Sequence, residues 1–79
     1  MPRYFFDLVN GDGLVRDEMG SQMPENRDSL LREVSRILTD LAREELTDRE
    51  HGAISVLVRD DHDRSVLSGT LDFRTKWQD

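Results

Sequence analysis

The chain predicts an α+β fold: a two-layer ββαββ domain, with a four-stranded antiparallel sheet and one long helix packed on one face. Three observations predict it. Two pairs of segments alternate apolar and polar residues with period two, Arg3–Val9 with Leu14–Asp17 and Ala53–Arg59 with Ser65–Phe73. Each pair is joined by a short turn rich in Asn, Asp or Gly, NGDG in the first and DDHD in the second. Between the pairs runs RDSLLREVSRILTDLAREEL, whose apolar residues recur at helical spacing.

The first strand carries aromatics on both faces. Tyr4, Phe6 and Leu8 share one side, and Phe5, Asp7 and Val9 the other. Its partner returns after the turn. A turn centred on Gly11-Asp12 sets Leu8 opposite Val15 and Asp7 opposite Arg16, a favourable cross-strand ion pair. A turn on Asp12-Gly13 sets Asp7 against Glu18, which is repulsive, although both dipeptides suit a tight turn.

Gly20 to Pro24 reads as a loop. Pro24 stops the helix from extending upstream, and Glu25 or Asn26 is the expected N-cap. Leu30, Val34, Ile37 or Leu38, and Leu41 form the apolar stripe, widened by Leu31, Ala42 and Leu46. Gly52 is the expected C-terminal breaker. In the third strand Ile54, Val56 and Val58 face the helix; in the fourth, Leu67, Leu71 and Phe73 do, with Gly69 between them. Order 2-1-3-4 keeps all neighbours antiparallel and places the two most apolar strands centrally. Residues 1–73 form the domain, and 74–79 a short tail expected to fray.

At 79 residues this is one small domain, with no cysteine to staple it. The formal net charge of −6, with arginines scattered among carboxylates, excludes ordinary phosphate-backbone binding, so no nucleic-acid partner is expected. No apolar run approaches the roughly 18 residues of a membrane span or the length of a signal peptide, and a cytoplasmic protein with no membrane partner is expected.

RYFF at the start, the GDG turn, RDEMG after the second strand and MP before the helix resemble a small, mostly α-proteobacterial family with a domain of unknown function. The resemblance spans nearly the whole chain. It implies no activity, cofactor or catalytic residue. Asp7 stands where members often carry His, and Asp63 where they often carry Gly; Asp tolerates the left-handed backbone that Gly favours.

The chemistry-bearing constellations read more simply as turns. NGDGLVRDE resembles a calcium loop, but its third ligand position is Leu14 and no helix flanks it. DDHD gathers His62 with carboxylates, yet a tight solvated turn lacks the outer groups that orient a metal-binding His. His51 has no evident catalytic partner, no Ser has a nearby base, and no Gly-rich strand-to-helix loop is present. No enzyme, metal or cofactor is expected.

One helix covers only one sheet face. The other is expected to present Phe5, Asp7, Val9, Leu14, Arg16, Leu57 and Val66, with Phe5 near Leu57. A contiguous patch of that kind suggests an interface. Alternatively Trp77 and the tail fold back over it, or arginine stems lie along it. The expected function is therefore a non-enzymatic protein-interaction module, a homodimer through the open face or an edge strand. Other readings are an antitoxin-like or regulatory acidic partner of a basic protein, discriminated by a neighbouring basic protein, and a small-ligand-binding domain.

Overall fold

A computed structural model of the protein describes residues 1–78. It confirms the α+β class and extends it by one short strand. Strands β1 (Arg3–Asn10), β2 (Gly13–Val15) and β3 (Ser21–Gln22) precede helix α1 (Arg27–Glu45), and β4 (His51–Arg59) and β5 (Ser65–Arg74) follow it. The sheet runs β2-β1-β4-β5, and β3 pairs with the other half of β1's outer edge. That path is the expected 2-1-3-4, renumbered by the extra strand. Every pairing is antiparallel.

The first hairpin takes the Gly11-Asp12 register: Leu8 pairs with Val15 and Asn10 with Gly13. Asn10 Oδ1 accepts the Asp12 N–H at 2.8 Å and closes the turn. The second strand ends at Val15, however, so Arg16 never reaches the position opposite Asp7. The second turn is held by Asp60, whose Oδ1 accepts the N–H groups of His62 and Arg64 at 2.9 Å each. Asp63 adopts the left-handed backbone there, at φ 64°.

Asn26 is the N-cap, with its Oδ1 accepting the Ser29 N–H at 2.8 Å. The other end departs from expectation. Leu46 caps the helix and Asp48, at φ 68°, makes the left-handed turn, whereas Gly52 lies inside β4. Gly52 serves close packing instead: a Cβ there would lie 2.7 Å from Leu46 Cδ2.

Helix α1 lies across β4 and β5. Leu30, Val34 and Leu38 pack on Ile54, Val56 and Val58, with Tyr4 and Phe6 completing the core. The three β4 side chains are at most 2 % exposed, as alternation on a central strand requires. Helix and sheet pack closely at Gly69, where a Cβ would stand 2.7 Å from Val34 Cγ1.

The tail is tied rather than frayed as far as it is described. Thr75 donates its N–H and hydroxyl to Glu50 O at 2.9 and 2.7 Å, and Trp77 Nε1 donates to Glu50 Oε1 at 2.7 Å. The final residue of the expected tail, 79, lies outside the described residues.

Candidate functional site

The sheet face away from the helix is closed at one end by residues that the sequence offers no reason to bring together. Asp7 is 6 % exposed, so it is not presented to a partner. Its Oδ2 accepts Arg59 Nε at 2.9 Å, across 52 positions of sequence, and its Oδ1 accepts the Asp17 N–H at 2.8 Å. Arg59 also donates through Nη2 to Asp17 O at 2.8 Å, and its guanidinium sits 4.5 Å from the centre of the Phe5 ring. A single arginine thus pairs a buried carboxylate, holds a loop and covers an aromatic ring.

The loop between β2 and β3 completes the cover. Asp17 Oδ2 accepts the Phe6 N–H at 3.0 Å, standing in for the strand that would otherwise pair there. Asp17 Oδ1 accepts the N–H groups of Met19 and Gly20 at 3.2 and 3.0 Å. Gly20, at φ 70°, brings the chain against Phe5; a Cβ would fall 2.8 Å from the ring's Cε2. RDEMG is therefore a structural motif, in which Asp17 folds the loop and Gly20 seats it.

Burial alone pushes the Asp7 carboxyl up, but the hydrogen bond from Arg59 and the Asp17 N–H outweigh it and hold it below the usual range. Asp17 is likewise raised by burial, yet the three backbone N–H groups of Gly20, Phe6 and Met19 bring it below the ordinary carboxylate value. Both are ionised anchors at neutral pH.

The other expected surface residues separate. Phe5 is half-buried under Arg59 and pairs with it across the strands, while Leu57 pairs with Asp7. Val9 is half-buried beside Leu14 and Ser55, and Leu14 and Leu57 stay exposed, Leu57 at 40 %. Arg16 reaches Asp63 at 3.4 Å in an exposed pair worth little. Val66 leaves the face altogether. A register shift at Val58/Arg59 puts it in a bulge, beside Arg27, Leu30, Leu31 and Leu67 next to the helix. Trp77, 81 % exposed, bonds Glu50 at the far end of β4 and does not cover Phe5.

Of the two alternatives to an open face, the arginine stem is the one the structure shows. Asp17-x-x-Gly20 was the available signal, since an Asp that can accept the second and third N–H groups downstream folds its own turn.

A family model for a domain of unknown function, DUF6894, matches residues 3–72. The chain belongs to the DUF6894 family. No curated protein and no solved structure matches it significantly. Within this DUF6894 domain, the RYFF and RDEMG stretches that carry the resemblance meet in space at Phe5, Phe6, Asp17 and Gly20. Among the described residues, no group of three or more His, Cys, Asp or Glu side chains is placed to hold a metal ion, and no helix is long and apolar enough to cross a membrane.

The unpaired edge among the described residues lies at the other side of the sheet. β5 ends the strand order, so its outer N–H and C=O groups face away from the domain. It is ten residues long and contains no Pro and no Lys. Exposed Leu31, Val66 and Phe73 border it.

Proposed function

We propose that this DUF6894 domain is a non-enzymatic protein-interaction module that self-associates through the β5 edge. The observation that carries this reading is the long open edge, bordered by exposed apolar side chains, in a sheet whose opposite edge is closed. An unpaired strand of this length is a template for another strand, and soluble proteins usually blunt such edges with Lys, Pro, bulges or short strands. β5 has one bulge, near Val66, and one charged pair, Asp72 with Arg74, at its far end, and it carries no Pro or Lys between them. Capping of Phe5 by Arg59 removes the largest apolar group from the open face and shifts the weight to the edge.

Sedimentation velocity at concentrations up to about 1 mM tests it, a range that detects weak self-association. Wild type should shift from monomer to dimer as concentration rises. Thr70→Lys, on the edge, should abolish the shift, and Leu57→Lys, on the open face, should leave it. A wild type that stays monomeric throughout rejects the reading.

A further inference from the structure

Resting on that reading, we infer that β5 pairs with β5 of a second copy across a two-fold axis through Thr70, joining two five-stranded sheets into one continuous sheet. Antiparallel strands set residues of the same face opposite one another. A strand that meets its own copy must therefore be centred on a residue, never between two. Two centres keep most of β5 paired, Gly69 and Thr70.

The side chains distinguish them. Centring on Gly69 sets Leu67 against the partner's Leu71 and Ser68 against the partner's Thr70, but it places Asp72 and Phe73 opposite the bulge at Val66, where neither meets a residue of its own face. Centring on Thr70 sets Leu67 against the partner's Phe73, Gly69 beside the partner's Leu71, and Ser68 against the partner's Asp72. Apolar meets apolar on the helix side, a hydroxyl meets the carboxylate on the other, and no like charges are opposed. Thr70 meets itself. It already bonds Ser55, Oγ1 to Oγ at 2.9 Å, so the hydroxyl row of one domain continues into the next.

The helix side is self-complementary in the same sense. Where Gly69 meets Val34 and Leu38, helix and strand touch; on either side a hollow opens between them. One, of about 320 Å³, is lined by Leu30, Leu31, Val66 and Leu67, and the other, of about 500 Å³, by Ala42, Leu46, Leu71 and Phe73 among others. The two-fold sets each hollow beside the opposite one of the partner, with the two helices antiparallel on the same side of the sheet.

The assembly also stops at two copies. Both outer edges of the joined sheet are the β2 and β3 edges, three and two residues long and separated by the loop whose Asp17 already occupies the Phe6 N–H. They offer no run of free groups for a third copy.

The chain has no cysteine, so introduced ones report unambiguously. Thr70→Cys should form a covalent dimer under mild oxidation. Ser68→Cys and Asp72→Cys should cross-link when mixed, at least tenfold more than either alone. Thr70 is exposed at the edge, and circular dichroism of each variant checks that it folds. Cross-linking of mixed Ser68→Cys and Thr70→Cys in preference to Thr70→Cys alone overturns the Thr70 axis while leaving the interaction reading intact. A Thr70→Cys protein that forms no disulfide and sediments as a monomer overturns both.

Discussion

The two edges of the sheet have been treated in opposite ways. On the β1 side the edge is broken into β2 and β3, and the gap between them is filled by Asp17, whose carboxylate takes the Phe6 N–H at 3.0 Å. On the β5 side ten residues run without interruption by Pro, Lys or a covering loop. The contrast teaches where polar groups have been spent. Asp7, Arg59 and Asp17 close one edge and the adjoining face, and among the described residues nothing equivalent closes the other. An edge left open beside a closed one is the arrangement that lets a sheet extend once and then stop.

The closed side is the easier to break. Asp7→Ala leaves the Arg59 guanidinium without its buried partner and should cost about 3 kcal/mol, comparable with the whole stability expected of so small a domain. Chemical denaturation should find the variant largely unfolded. Adding Arg59→Leu should recover part of that loss, because the unpaired charge goes with it. A single Asp7→Ala protein as stable as wild type would show that the cluster does not hold the loop.

Two glycine substitutions compare the sides directly. Gly69→Ala drives a methyl group into Val34 beneath β5 and should cost about 2 kcal/mol. Gly20→Ala meets the Phe5 ring at a left-handed backbone position and should cost about 1–2 kcal/mol. Thermal melting orders them; a domain this size loses roughly 4–8 °C per kcal/mol.

Acid should act on the closed side and on the β4–β5 turn, where the backbone N–H groups of Arg64 and His62 hold the Asp60 carboxyl below its ordinary value. Asp7 and Asp17 titrate lower in the folded protein than in the unfolded chain, so the unfolded chain binds more protons as pH falls. Their stabilisation is complete above the unfolded value of about 4 and is lost as pH drops through the lower folded values. Melting temperature should fall below about pH 4 in wild type, and Asp17→Asn should flatten that fall. A still smaller effect, about 1 kcal/mol, is expected of Asn26→Ala, which removes the helix cap without touching either edge.

Much of the framework was legible because it rests on local spacing. Alternation in β1, β4 and β5, the helical stripe and the Leu8–Val15 register all depend on neighbours a few residues apart. What was not legible depends on distance or on backbone detail. Asp7 finds Arg59 across 52 positions, so a carboxylate that alternation assigns to an open face is buried. Asp17 acts as a strand partner through its side chain, which no strand pattern registers. A bulge at Val58/Arg59 turns Val66 toward the helix, because one extra residue reverses the facing that period two assigns. Gly52 does not stop the helix, because the left-handed turn falls on Asp48 and the glycine provides space against Leu46 inside β4.

Amide hydrogen exchange at low and high protein concentration addresses the difference between the edges most directly. The Phe6 amide should be protected at both, and amides of Val66 to Phe73 that exchange freely in dilute solution should become protected as concentration rises. Exchange along β5 that ignores concentration, together with an unprotected Phe6 amide, would contradict the assignment of one closed and one associating edge.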